Sequence, residues 1–178
     1  MFRTLKENIG YYFLEKKIGK IKRNPVFLNL KDAKSIAIVA NMDTVEKYKI
    51  ISKFVDSLKQ EGKTVFVLAL VKNEEFQKFF AKGTSILFFS KKNTTWYGKP
   101  RNIKYKEFID NQFDILIDVS MTQIITMQYI VGLSKAKFKV GKFYEKRSYA
   151  DFMITLKPED KLSFFIDQIK HYLTTINQ

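Results

Sequence analysis

Short, uninterrupted runs of apolar residues alternate along the chain with longer stretches in which apolar side chains recur every three or four positions. The clearest example lies at residues 113–140, where Ile115, Leu116 and Ile117 precede a helical pattern and a second short run. An apolar run of this length between polar residues is typical of a strand buried on both faces, as in parallel sheets. The pattern therefore predicts a β-α-β unit whose helix is capped by Thr122.

The same alternation continues through the rest of the sequence. It predicts further strands at residues 35–40, 64–71, 85–89 and 152–156, helices at residues 44–60, 74–80 and 105–111, and a last helix opened by Pro158. Strands that alternate with helices indicate an α/β fold, here a single Rossmann-like, doubly wound parallel sheet. Residues 1–24 are predicted to form a basic amphipathic helical arm, and residues 25–178 the Rossmann-like α/β domain.

Composition removes several classes of chemistry. The chain has no cysteine, which excludes thiol catalysis, disulfides and thiolate metal sites. Its one histidine, His171, lies among the apolar residues of the last predicted helix, so we expect a helix residue rather than a metal ligand or base. No apolar run approaches the length of a membrane span, and the first residues lack the apolar core of a secretion signal. These features predict a soluble, cytoplasmic protein without an integral membrane segment.

Positive charge is concentrated in three segments of the chain, whose formal net charge is +14. Residues 1–24 hold seven Lys or Arg against two acids, residues 82–106 seven against none, and residues 135–149 six against one. The remainder is slightly acidic. Because a solubilising surface usually mixes its signs, this distribution predicts a polyanionic partner, with nucleic acid ahead of a membrane surface or anionic small molecules.

Aromatic side chains are interleaved with the basic residues of the second and third segments. Ammonium and guanidinium groups pair with phosphates, while aromatic rings stack on unpaired bases, and the combination is typical of RNA binding. Three plainer interpretations stay open. Residues 1–24 could form a helix that packs its aromatic face on the domain and leaves its lysines in solvent. Trp96 could pack back on the core from a hairpin extension, and lysines at residues 137–140 could protect an edge strand. The candidate RNA-binding residues are Lys16, Lys17, Lys20, Lys22, Arg23, Lys91, Lys92, Trp96, Tyr97, Lys99, Arg101, Lys104, Lys137, Lys139, Lys142, Lys146 and Arg147.

The usual nucleotide motifs are missing. The segment after the first strand, AIVANMDTVEKY, contains no glycine, and no Walker pattern occurs anywhere, which argues against dinucleotide cofactors and nucleotide hydrolysis. We expect no cofactor and no metal. Asp118 and Ser120 follow a central strand and Asp43 follows the first, where paired carboxylates could do acid and base work. A turn or capping role for Asp118 and Ser120 is the favoured interpretation.

Residues 114–118, which read DILID, resemble the amino-terminal half of the heptosyltransferase-like GT-B glycosyltransferases, as do Ala136, Lys137 and Gly141 in the turn that follows. The resemblance implies a related Rossmann-like shape. It implies transferase activity less directly, since the sequence holds no counterpart of the second domain in which those enzymes bind the nucleotide sugar.

A second resemblance covers nearly the whole chain. The segments FDILIDVS and GLSKAKFKVG, together with the basic start and the length, look like a small basic family of Bacteroidota proteins with no assigned enzymatic function. That family is similar to the lineage-specific extra proteins of the large ribosomal subunit in flavobacteria. The resemblance implies rRNA and neighbouring ribosomal proteins as partners.

Three hypotheses follow from the sequence. The leading one is a non-catalytic RNA-binding protein, ribosomal or ribosome-associated, with no small-molecule substrate. The main alternative is a reduced GT-B-like glycosyltransferase that acts on an anionic sugar with Asp118 and Asp43 at its site. The third is a peripheral membrane protein held by residues 1–24.

Overall fold

The computed structural model describes residues 2–72, 75, 76, 78, 86–101 and 103–175, and its central feature is one parallel β-sheet. The sheet has six strands in the order β3-β2-β1-β4-β5-β6, so the Rossmann-like α/β fold predicted from the sequence is confirmed. The strands are β1 (Ser35–Met42), β2 (Thr64–Val71), β3 (Ile86–Phe89), β4 (Ile115–Asp118), β5 (Phe138–Lys142) and β6 (Phe152–Ile154).

Five helices flank the sheet within the described residues, and a short 3-10 helix (Lys91–Asn93) follows β3. The helices are α1 (Phe2–Ile18), α2 (Val45–Gln60), α3 (Ile103–Asp110), α4 (Ile125–Leu133) and α5 (Leu162–Thr175). Helices α2 and α5 cover one face of the sheet, and α3 and α4 cover the other. Thr44 caps α2, since its hydroxyl accepts a hydrogen bond from the backbone N–H of Lys47 at 3.2 Å.

The core lies around the two central strands. Residues 36–40 of β1 are fully buried, and Ile36 and Ile38 pair in register with Ile115 and Ile117 of β4. Strands buried on both faces need apolar side chains at every position, which is why these segments are continuous runs rather than alternating ones. The chain reverses its direction of travel across the sheet between β1 and β4, the point at which doubly wound folds form a crevice.

Helix α1 lies on the domain as a third layer outside α4. Its Leu14 is fully buried and packs with Tyr11 against Tyr129 and Leu133 of α4. The Tyr129 hydroxyl donates a hydrogen bond to the backbone carbonyl of Gly10 at 2.8 Å. The basic segment predicted as an arm therefore forms a helix whose inner face is occupied by its own domain.

Several predicted boundaries differ from the structure. Thr122 does not cap α4, because that helix begins at Ile125 with Ile124 at the N-cap position and no side-chain hydrogen bond. Pro158 does not open α5 either; it lies in a turn closed by Asp160, and the helix begins at Leu162. The last strand ends at residue 154 rather than 156. The helix predicted at residues 74–80 lies largely outside the described residues, as does residue 85.

Candidate nucleic-acid interface

The first two basic segments meet where α1 packs on the loop that follows β3. The rings of Phe13 and Tyr97 have centroids 5.3 Å apart. Gly10 allows the backbones to approach closely, since a Cβ at that position would overlap the Tyr97 carbonyl oxygen. Two segments about 80 residues apart in the sequence thus form one surface. Local sequence patterns cannot predict a contact over such a separation.

Two lysines from these segments are brought together at that contact. The pKa of Lys17 is lowered, chiefly because the Lys99 side chain lies beside it, and further by partial burial. Among the described residues, no carboxylate pairs with Lys17, Lys99 or Lys20. Lys16 lies one position before Lys17 on the same exposed part of α1, with its ammonium 5.4 Å from the centre of the Tyr12 ring. We call Lys16, Lys17, Lys20 and Lys99 the basic face.

The loop at residues 90–101 is a small hairpin-like extension. The backbone N–H of Thr95 donates to the Lys99 carbonyl at 2.7 Å, and Thr94 forms a bridge with Pro100. Trp96 does not pack back on the core: it is 60% exposed and lies edge-on to Tyr97, at an interplanar angle of 85°. The aromatic side chain is therefore available to a partner. The other basic residues predicted in these two segments are exposed: Lys22, Lys91, Lys92, Arg101 and Lys104.

Most cations of the third basic segment are engaged within the protein. Lys137 pairs with Asp114 at 2.8 Å, Lys142 donates to the Met121 carbonyl at 3.1 Å, and Arg147 pairs with Glu15 at 3.0 Å. The Arg147 guanidinium also lies 4.4 Å from the centre of the Tyr11 ring. These groups hold α1 and neighbouring loops to the sheet. Lys146 is exposed, and among the described residues it has no partner.

Two further predicted cations take structural roles. Arg23 donates to the carbonyls of Ala136 and Lys137, at 2.5 and 3.0 Å, and forms an ion pair with Asp151.

Lys139 is buried, and its ammonium donates to the Gly132 carbonyl at the end of α4 at 3.2 Å. Strand β5 lies between β4 and β6, so the prediction of an edge strand protected by lysine is wrong. Because its side chain points into the protein, Lys139 does not belong to the candidate RNA-binding surface.

A cleft of about 1090 Å³ opens beside the basic face, beyond the carboxyl ends of β1 and β2. It is bounded by Lys6 and Glu7 of α1, by Asn41, Asp43, Thr44 and residues 70–72 at the ends of the two strands, and by residues 94–98 and 122–126 of two loops. Lys91 also lines it. Lys6 and Lys72 line the cleft but were not predicted from the sequence as site residues. Lys72 had a usable signal, since it is the first polar residue after a buried strand.

The two carboxylates considered for catalysis do not meet in this cleft. Asp43 lines it, pairs with Lys47 at 2.7 Å and accepts a hydrogen bond from the Asn41 amide at 3.2 Å. Asp118 is buried and is not part of the lining; its Oδ1 accepts a hydrogen bond from the backbone N–H of Ser120 at 2.9 Å. The turn role favoured for Asp118 is therefore confirmed.

Burial raises the pKa of Asp118 to about 6, against the opposing effect of its hydrogen bonds from Ser120. A raised folded-state pKa means that the folded protein retains a proton that the unfolded chain has lost, so stability falls as pH rises from about 4 to about 6. Replacing Asp118 with Asn keeps the Oδ1 acceptor and removes the buried charge. We expect Asp118→Asn to raise the free energy of unfolding at pH 7 by about 1 to 2 kcal/mol, measured by urea denaturation.

The matched control for this variant is Asp56→Asn, which removes an exposed carboxylate from α2. It should leave the stability at pH 7 within about 0.5 kcal/mol of the wild type. Equal stability of Asp118→Asn and the wild type at pH 7 would show that the charge at Asp118 carries no penalty.

Other kinds of site find no support in the described part of the chain. It holds no group of three or more potential metal ligands. None of its helices combines the length and the apolar character needed to cross a membrane. His171 is exposed on α5 and packs edge-on against Tyr172, as expected for a helix surface residue.

The chain was compared with known proteins. No curated protein matches it, and no solved structure matches it. One family model matches residues 6–176, a range that includes all six strands as well as most of α1. The match thus extends over the basic face and the cleft together with the sheet that carries them, and the chain belongs to DUF6913, a family of unknown function.

Proposed function

We propose that this protein is a non-catalytic RNA-binding protein, ribosomal or ribosome-associated, with rRNA of the large subunit as its partner. The observation that carries the proposal is the packing of α1 on the loop after β3, with Phe13 against Tyr97, which brings two separate basic segments together at Lys17 and Lys99. The resemblance to lineage-specific ribosomal proteins agrees with this assignment and is independent of the geometry.

Two neighbouring ammonium groups without a carboxylate repel each other, and the folded protein keeps them together through the packing of α1 on the loop. An RNA phosphate placed between them would relieve that repulsion and release counterions from the RNA. Lys16 on α1 and Lys20 just beyond its end extend the same positive region, so a backbone of several phosphates could follow the helix and the turn after it. Contacts of this kind position an RNA without reading its sequence.

Trp96 adds a feature that a purely electrostatic surface would lack. Its exposed indole stands on the same loop as Lys99, and stacking of an unpaired base on an aromatic ring contributes about 1 to 3 kcal/mol. A surface with both properties favours RNA with single-stranded or looped nucleotides over a regular duplex.

The transferase alternative loses its geometric basis. An enzyme that used Asp118 together with Asp43 would need both carboxylates at one open site, and Asp118 does not line the cleft. Asp43 alone is held by Lys47.

The proposal is tested by removing the basic face. A variant with alanine at Lys16, Lys17, Lys20 and Lys99 should bind RNA with lower affinity. If each lysine contacts one phosphate, the slope of log K against log salt concentration should fall by about 3. The measurement is filter binding to rRNA fragments over a range of salt, together with cosedimentation with ribosomes at moderate salt.

A charge-matched control separates this surface from net charge. Lys34, Lys49, Lys53 and Lys157 are exposed, and among the described residues none of their side chains has an ion-pair partner. Alanine at these four positions removes the same charge from α2 and from the segments before β1 and α5. The control variant should keep the salt slope of the wild type. Equal losses in both variants, or no loss in either, would refute the assignment of RNA binding to the basic face.

A further inference from the structure

The cleft beside the basic face has an excess of uncompensated positive charge. Lys6, Lys72 and Lys91 come from three different elements, and among the described residues none of them pairs with a carboxylate. Two carboxylates also line the cleft, those of Glu7 and Asp43, and Asp43 is already paired with Lys47, so the three lysines leave positive charge in excess. A ligand with at least one anionic group fits this lining better than a neutral one.

One wall of the cleft is aromatic. Tyr97 is anchored because its ring packs against Phe13, and Trp96 meets Tyr97 edge-on with a centroid distance of 5.4 Å. Trp96 is 60% exposed, so much of its indole surface is left uncovered. A flat ring system could stack on that surface.

The segment after β1 limits how a phosphate could be held. In dinucleotide sites a glycine-rich turn lets backbone N–H groups approach a pyrophosphate, whereas residues 41–44 here read NMDT. Phosphate recognition must therefore come from side chains, which Lys72 and Lys91 can supply. Asn41 and Thr44 offer polar groups at the same end of the cleft for ribose hydroxyls or base edges.

We propose that the cleft binds one nucleoside monophosphate unit, with its base stacked on Trp96 and its phosphate at Lys72 and Lys91. The volume of about 1090 Å³ is sufficient for such a unit. The unit can be a free mononucleotide or an unpaired nucleotide of a bound RNA; in the second case the proposal rests on the RNA-binding function proposed above.

Trp96 provides a direct measurement, because it is the only tryptophan in the chain. Titration of the full-length protein with AMP, GMP, CMP and UMP should quench its fluorescence to saturation, with at least one of the four nucleotides. Adenosine lacks the phosphate and ribose 5-phosphate lacks the base, so both should bind more weakly. A Lys72→Gln, Lys91→Gln variant should lose about tenfold in affinity for the nucleotide, as expected when charge-assisted contacts to phosphate are removed.

The control variant is Lys34→Gln, Lys53→Gln, which removes two exposed lysines remote from the cleft lining and should bind the nucleotide like the wild type. Calorimetry on Trp96→Leu should show a similar loss of affinity while the protein stays folded by circular dichroism. If no nucleotide produces a saturable signal up to about 10 mM by fluorescence or calorimetry, the proposal is overturned. Equal nucleotide affinity of the Lys72→Gln, Lys91→Gln variant and its control would overturn it as well.

Competition distinguishes the two sources of the ligand. A single-stranded oligonucleotide of about eight residues that displaces the mononucleotide from Trp96 would assign the cleft to an RNA nucleotide. Binding of the mononucleotide that is insensitive to the oligonucleotide would assign it to a free metabolite. RNA binding by the basic face can fail or hold in the separate salt-slope experiment, so the two proposals are refuted by different results.

Discussion

Raising the pH from about 7 to about 9.5 is expected to stabilise the protein by about 3 kcal/mol, and Lys139→Met is expected to abolish that gain. The pKa of Lys139 is lowered from 10.5 to about 7, chiefly by burial and further by the nearby positive charge of Arg23, with Asp151 partly opposing both. Between these two pKa values the unfolded chain carries the proton and the folded protein does not. Because the unfolded state binds more protons, stability rises with pH across this window, by about 1.4 kcal/mol per unit at most.

The measurement is urea denaturation of the wild type and Lys139→Met at pH values of about 7 and about 9.5. Burial also raises the pKa of Tyr11, to about 12, and the pKa values of Tyr105, Tyr129, Tyr144 and Tyr149. Their effect on stability sets in near the unfolded-state value of 10.0, above this range, and is common to both proteins. Lys22→Met, which removes an exposed lysine, should retain the pH dependence of the wild type. If Lys139→Met gains as much stability at high pH as the wild type does, Lys139 is not the group responsible.

Gly10→Ala is expected to destabilise the protein by about 3 kcal/mol and to weaken RNA binding at the same time. The added Cβ would overlap the Tyr97 carbonyl oxygen and would lie 3.0 Å from Ile125 Cγ1. A backbone carbonyl cannot rotate away as a side chain can, so α1 must move from its place on the loop and α4. Lys17 and Lys99 would then separate.

Gly19→Ala is the matched control, because Gly19 lies just beyond the end of the same helix and the nearest atom to an added Cβ is 3.7 Å away. It should leave stability unchanged or raise it by up to about 1 kcal/mol. Thermal denaturation and RNA filter binding of the two variants provide the comparison. A Gly10→Ala protein with wild-type stability and RNA affinity would show that close packing of α1 on the loop is not required.

The cleft and the basic face were predictable to different degrees. Trp96 and Lys99 were identifiable because an aromatic residue interleaved with cations on a loop is typical of a surface that binds nucleic acid. Lys139 was wrongly predicted to bind RNA, because a lysine can lie on a binding surface or donate to the carbonyl groups at the end of a buried helix. The sequence also does not show which strand lies at the edge of the sheet. Lys6 and Lys72 were missed because each is a single lysine whose importance depends on its neighbours in space.

The sequence by itself determined the α/β class, the positions of β1, β2 and β4 and the absence of a glycine-rich phosphate loop. These follow from local periodicity and local composition, which a strand or a helix carries within its own few residues. Only the tertiary structure decided that α1 packs on α4, that two basic segments meet at Lys17 and Lys99, and that most of the third holds the fold together. Each of those outcomes is a contact between positions remote in sequence, such as Arg147 and Glu15, and only the packing of whole elements in three dimensions brings such positions together.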